Sequence, residues 1–422
     1  MTILHSARQN AAAFDVGFAR AQFAGLDCDS IFFDNAGGSL ALERVIADVA
    51  DYLRRCPVQL GASYAASTEA AHRMQAARAE LALLLGGGES GAVHSQELVL
   101  GPSSTALLRQ LAEAKRGGFE AGDEIVVTDA DHESNITPWL RLERRGVVIR
   151  TWGINRDSLD LEPEDLEPLL SARTRLVCFT HGTNVLGTVT RAQDIIRLAH
   201  ERGAEVCLDG VAVVPHRLTD VRRLDADYYV FSLYKCFGPH LALMYGKRER
   251  LEALASINHL GVGDGKLPWK LEPGACAYEL AYGARKITDY LAELGAHHGA
   301  GSSKAAQLAR AFDCIAGHET GLAGRLLDYL RDKPGVTIIG RPMADPVWRL
   351  PIVSFTVRGR QPAELVAAVD AHDIGIRHGH FYALRLIRAL GLEPGGIVRI
   401  SLAHYNTSDE IDSLIEALDE IL

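Results

Sequence analysis

The stretch RLVCFTHGTNVLGTVTRAQDIIRLAHERGAEVCLDG, residues 175–210, decides the fold. It opens on one apolar run, RLVCFTH (175–181), and closes on another, EVCLDG (205–210). Neither alternates apolar with polar residues, and unbroken runs of this length read as strands covered on both faces, as in a parallel sheet. Between them Thr190 stands three residues before Gln193, which predicts a capping box; Ile195, Ile196 and Ala199 follow at helical spacing, and Gly203 closes the helix. Strand–helix–strand units of this kind predict a doubly wound α/β domain.

Working outward, the same alternation runs from about residue 31 to 247. Further strand candidates are SIFF (30–33), ELVLG (97–101), EIVVTD (124–129), VVIRTW (147–152), YYVFS (228–232) and LALMYG (241–246). The chain then changes character. LAGRLLDYLRD (322–332) reads as helix, VTIIG (336–340) and IVSFTV (352–357) as strands, and SDEIDSLIEALDEIL (408–422) as an amphipathic helix. This predicts a second, smaller α+β domain at the C-terminal end.

With 422 residues, 47% of them hydrophobic, the chain has material for two or three domains. A net charge of −10 gives no electrostatic footprint for nucleic acid or anionic membrane. No 18-residue apolar run and no signal-peptide pattern is present, so a soluble, unexported protein is expected. The cysteines (28, 56, 178, 207, 236, 276, 314) are odd in number and lack CxxC spacing. Cys178 and Cys207 sit inside apolar runs and read as buried small hydrophobes, not as disulfides or metal ligands, and a reducing cytoplasm is the simple inference.

In a parallel α/β sheet, ligands bind beyond the carboxyl ends of the strands. After ELVLG come Ser103, Ser104 and Thr105, opening a helix whose free N–H groups and dipole suit a phosphate, although plain N-capping also accounts for them. His132 follows EIVVTD, Asn184 follows RLVCFTH, Asp209 ends EVCLD, and Ser232 and Lys235 follow YYVF. Each alone has a structural explanation. Together they supply a phosphate cradle, an imidazole, an amide, a carboxylate and a lysine, the set that pyridoxal 5′-phosphate requires. The lysine forms the Schiff base and serves as a base; the carboxylate keeps the pyridine nitrogen protonated.

The segments FFDNAGG (32–38), GPSST (101–105), DHESNITPW (131–139), THGTNVLGTV (180–189), LDGVAVVPH (208–216), DADYYVFSLYKCFGP (225–239), RHGHFYALRL (377–386) and VRISLAHYNTSDEID (398–412) span most of the chain. In order and spacing they resemble the class V aminotransferase family of fold-type I pyridoxal-phosphate enzymes, its cysteine desulfurase-like branch above all. The resemblance implies a large domain over 30–295 with a mostly parallel seven-stranded sheet, a small domain from 1–29 and 296–422, and a homodimer with active sites at the subunit interface. It assigns the Schiff base to Lys235, the pyridine partner to Asp209, ring stacking and proton transfer to His132, and the phosphate to two of Ser103, Ser104 and Thr105, helped by Ser232. Asn184 lies beside cofactor and substrate, Arg399 grips the substrate carboxylate, and Arg377, His380 and Tyr382 lie in the substrate loop. A structural ion pair is the other reading of Arg399.

Three departures shape the functional expectation. The loop that carries a nucleophilic cysteine in cysteine desulfurases reads Arg377-His378-Gly379-His380-Phe381-Tyr382, with Tyr382 at the cysteine position. Cys236, next to Lys235, is expected to point away from the site. Ala212 replaces the glutamine or histidine that bonds the cofactor's phenolic oxygen, and Glu272-Pro273-Gly274-Ala275 lacks the hydroxyl of the partner-subunit phosphate contact. The family's early histidine loop is also missing, since QLGASYAAS (59–67) has no histidine. The expected activity is a lyase-type elimination on a cysteine-like or other β-substituted α-amino acid without an enzyme persulfide; aminotransferase or epimerase chemistry is the alternative, and an inactive scaffold the second.

Rival motifs are weaker. Gly86–Gly91 formally matches GxGxxG but follows a helical pattern (73–85), where the dinucleotide fingerprint needs a strand. His378 with His380, and His297 with His298, lack a metal-site context, so no metal is expected.

Overall fold

The computed structural model describes residues 14–86, 91–274 and 276–422. The glycine run at 87–90 and Ala275 of the EPGA segment lie outside the described residues. Seven strands form the main sheet: β2 (Leu98–Gly101), β3 (Glu124–Thr128), β4 (Val148–Trp152), β5 (Thr174–Thr180), β6 (Glu205–Asp209), β7 (Tyr228–Ser232) and β8 (Ala242–Gly246). Their spatial order is β2-β8-β7-β6-β5-β3-β4, and only β8 runs against the rest. The carboxyl ends of the other six therefore meet at one edge.

The unbroken apolar strands are explained by two covered faces. Val177 and Phe179, Val206 and Leu208, and Tyr229 and Phe231 point into one core cluster. Leu176 and Cys178, Cys207, and Tyr228 and Val230 point into the other. Cys178 and Cys207 are thus buried core residues, as their setting suggested.

Two sequence expectations are overturned. SIFF does not join the main sheet: its strand β1 (Ile31–Phe32) pairs in parallel with β11 (Ile374–Gly375), on the C-terminal part of the chain. An apolar run marks a buried strand but not which strand it pairs with. Nor does Thr190 cap a helix. The helix is Ala192–Glu201 with Arg191 at its N-cap and no side-chain cap bond; the Thr190 hydroxyl donates instead to Thr180 O at 2.8 Å. Gly203 does sit in the left-handed region (φ +77) just past that helix.

The C-terminal part carries a four-stranded antiparallel sheet, order β12 (Arg377–Gly379), β13 (Ile397–Ser401), β10 (Ile352–Val357) and β9 (Val336–Ile339). Its core packs helices Lys304–Arg331, Pro362–Asp370 and Ser408–Ile421 against that sheet. Thr407 and Glu410 cap the last helix reciprocally. The 183–189 loop after β5 is fastened to the segment entering β10: Leu350 N–H donates to Gly187 O at 2.7 Å, Val189 N–H to Trp348 O at 3.0 Å, and the Ser354 hydroxyl to Val185 O. Gly187 has φ +69, and a Cβ there would lie 2.4 Å from Ile352 O, so only glycine permits the approach. This seam fixes Asn184 between the two sheets.

Helix Lys286–His297 packs closely on the start of helix Lys304–Arg331; a Cβ on Gly295 would lie 1.8 Å from Gln307 O. Gly295→Ala is expected to destabilise the fold by about 3 kcal/mol through backbone overpacking, seen as a lower urea midpoint. An unchanged midpoint would show that the two helices separate freely.

Candidate active site

Five strand ends converge on one cleft with an open volume of about 520 Å³, lined by Ser103, Ser104, Thr105, His132, Asn184, Asp209, Ser232 and Lys235 among others. Every residue predicted to hold the cofactor lines it, although these residues lie up to 132 positions apart (235 − 103).

The turn after β2 builds one end of the cleft. Ser103 caps helix Ser104–Lys115, its Oγ accepting from Ala106 N–H at 3.1 Å. The first-turn N–H groups of Ser104 and Thr105 have no intrahelical acceptor, which makes this terminus an anion site. The Ser104 and Ser232 hydroxyls lie 2.7 Å apart across the sheet. The capping role of Ser103 is thus present, and the hydroxyls of Ser104 and Ser232 meet beside it.

Asp209 ends β6 and is buried. Its Oδ1 accepts from Val211 N–H at 3.0 Å, and no other hydrogen bond reaches the carboxylate among the described residues. Burial pushes its pKa up, offset by that backbone bond and by Lys235. A buried carboxylate with a free oxygen facing a cleft calls for a cationic donor. A protonated pyridine nitrogen is such a donor, so the residues present fit pyridoxal phosphate.

Lys235 follows β7 through the short turn Leu233–Lys235. Burial brings its amine down to about 8; Arg399 and Arg377 push the same way, and Asp209 and Asp34 oppose them. His132 caps the turn Glu133–Asn135, its Nδ1 accepting from Ser134 N–H at 3.1 Å. The ring proton therefore sits on Nε2, and burial with Lys235 and Arg399 nearby keeps the imidazole neutral, its pKa down at about 4.

Asn184 lies at the seam of the two sheets: its Nδ2 donates to Phe381 O at 3.0 Å and its O accepts from Arg399 Nη1 at 3.1 Å. Arg399, Arg377, His380 and Tyr382 are outside the immediate lining of the cleft. Arg399 is 2% exposed and does form an ion pair, with Asp34. The Tyr382 ring is exposed and 5.3 Å from that of His132; Glu133 N–H donates to Tyr382 O at 2.8 Å. His380 Nδ1 accepts from Tyr382 N–H at 3.0 Å. Phe381 and Tyr382 both have positive φ (+50 and +58), a strained geometry for side chains of this size that is held by those bonds. Cys236 is buried in the core with its thiol pushed up to about 12 by burial, as the expected outward orientation implies.

Three residues escaped sequence reading. Tyr234 lines the cleft one position before Lys235, its ring stacked on His240 at 4.8 Å. Asp131 is fully buried behind His132; it accepts from the Thr128 hydroxyl, from Asn135 Nδ2 at 2.7 Å and from Thr180 N–H at 3.1 Å, and burial still pushes it up to about 7. Asp34 lay inside the quoted segment FFDNAGG, but only the folded chain shows the arginines around it. Among the described residues no group of three or more metal-ligating side chains forms a site.

The depressed Lys235 amine carries a stability cost in the cofactor-free protein. The cost is full below pH 8, where the buried amine is charged, and fades between pH 8 and the unfolded value of 10.5. Lys235→Met is therefore expected to raise the denaturation midpoint of the apoprotein at pH 7, with the gain shrinking as pH rises from 8 to 10. A gain independent of pH would remove the electrostatic explanation.

Residues 31–414 match the family model for aminotransferase class V. The chain is 40% identical to an aminotransferase-like protein of Gibberella zeae, over 98% of this chain and all of that one. It is 33% identical to a cysteine desulfurase-like protein of Aspergillus flavus, over 97% of this chain and 91% of that one. The crystal structure of a cysteine desulfurase from Escherichia coli superposes with a TM-score of 0.82 at 26% identity, covering 97% of this chain and 98% of that one. With a cleft fitted to pyridoxal phosphate and a family match over most of its length, this chain belongs to the class V aminotransferase family of pyridoxal-phosphate enzymes.

Proposed function

We propose that the protein catalyses a lyase-type elimination on a β-substituted α-amino acid, such as a cysteine-like substrate, without carrying a persulfide. The observation behind this reading is that no thiol lines the cleft among the described residues, and tyrosine stands at position 382. The nearest cysteine in sequence, Cys236, is buried and its thiol held protonated.

Pyridoxal phosphate, when bound, supplies an acceptor for the electron pair left at Cα. The chain's residues do the rest. Ser104, Thr105 and Ser232 would hold the phosphate, and Asp209 would keep the ring nitrogen protonated. Arg399 orients the substrate α-carboxylate as a planar donor pair. Lys235, in the neutral form that burial favours, takes the Cα proton. His132, kept uncharged by burial, would contact the bound cofactor without adding positive charge. Departure of the β substituent with its bonding electrons then gives pyruvate and ammonia after hydrolysis, plus the released group. The family's commonly dimeric state supports a homodimer, and seven unbridged cysteines support a reducing compartment such as the cytoplasm.

The deciding experiment incubates the holoenzyme with a panel of amino acids and follows sulfide, pyruvate, ammonia and keto acid together. Pyruvate and ammonia in equal amounts support elimination; a keto acid formed only with an amino acceptor shows transamination, and racemisation alone shows an epimerase. Lys235→Ala is expected to abolish the visible cofactor absorbance. Arg399→Ala is expected to raise the half-saturating amino-acid concentration at least about tenfold while retaining the cofactor; equal half-saturation would place the carboxylate elsewhere.

A further inference from the structure

Asp34 occupies a position that the reaction as described does not use. It follows β1, bridges to Ser401 at the end of β13, and is 8% exposed. Its Oδ1 accepts from Arg399 Nη2 at 3.0 Å and its Oδ2 from Arg377 Nε at 2.7 Å. Those arginines are direct cross-strand partners, Arg377 on β12 opposite Arg399 on β13. Like charges directly opposite one another destabilise a sheet, so one carboxylate shared between them is what allows the pair. The backbone is shaped to receive it: a Cβ on Gly37 would lie 2.7 Å from Asp34 Oδ2.

Arg399 is held on three sides. Asp34 takes Nη2, Asn184 O takes Nη1, and the Phe381 ring lies 3.9 Å from the guanidinium carbon. Phe381 belongs to the same strained loop that places Tyr382 beside His132. Arg377 begins that loop, is 59% exposed at its side chain, and has Asp34 as its ion-pair partner.

We propose that Asp34 is the positioning residue of the substrate-carboxylate site: by bridging the cross-strand arginine pair it aims Arg399 and anchors the 377–382 loop to the wall of the cleft. This rests on the reading of Arg399 as the carboxylate partner. A coupling follows, because whatever draws Arg399 toward a substrate also pulls on the carboxylate that holds Arg377.

The test uses Asp34→Asn, which keeps the shape and removes the charge, in the holoenzyme. The expected result is an amino-acid KM raised about tenfold with kcat and cofactor retention within about threefold, partly rescued by Asp34→Glu. Amide hydrogen exchange in peptides covering 376–383 quickens while exchange in the seven-stranded sheet stays the same. A KM unchanged, or a fall in kcat alone, overturns the proposal, as does unchanged exchange in the loop. Should the asparagine variant fail to fold, Arg377→Gln removes the other half of the bridge and must give the same KM-against-kcat split and the same loosened loop. If no amino acid perturbs the wild-type protein, the proposed function has failed, and the exchange measurement still decides the bridge by itself.

Discussion

A lysine and a carboxylate withdrawn from water share one cleft without an ion pair between them. Lys235 and Asp209 lie on adjacent strand ends, each perturbed by burial, each close enough to influence the other's charge. In a protein interior such charges ordinarily pair directly or do not persist. Here both line one cleft together with Ser103, Ser104, Thr105, His132 and Ser232. The arrangement makes physical sense when a third body that bonds covalently to one and electrostatically to the other completes it. The parallel sheet is the device that holds the two apart, because β6 and β7 are hydrogen-bonded neighbours whose ends cannot collapse onto one another.

A second layer keeps the first in place. Asp131 ties the end of β3 to that of β5 and immediately precedes His132, so the imidazole is set by a buried carboxylate and not by loop chance. Asp34 does the corresponding service on the other side of the cleft, between two arginines of the small sheet. Both carboxylates are withdrawn from water, where low dielectric makes a fixed charge most effective.

The loop that holds tyrosine at the position of the desulfurase cysteine lies where the two sheets meet. Tyr382, Phe381 and Asn184 join there through backbone bonds, and consecutive positive φ values turn the loop so that Tyr382 lies beside His132.

Much of this was legible before folding. The apolar runs at 175–181, 205–210 and 228–232 announced a sheet covered on both faces, because that burial is encoded locally by residue type. Ser103, His132, Asn184, Asp209, Ser232 and Lys235 could be chosen because parallel strands bring their carboxyl ends together whatever the loops contain. SIFF and Thr190 were misread for the complementary reason: strand pairing and the destination of a hydroxyl depend on partners far away in the chain. Asp34 belongs to the same class. Nothing in FFDNAGG distinguishes its carboxylate, and only the antiparallel register of β12 and β13, which sets Arg377 opposite Arg399, creates the doubled positive charge it answers. Residue type and spacing determined the sheet and the residues that line its cleft; long-range pairing alone decided what stands behind them, since electrostatic need arises between groups that the linear chain keeps far apart.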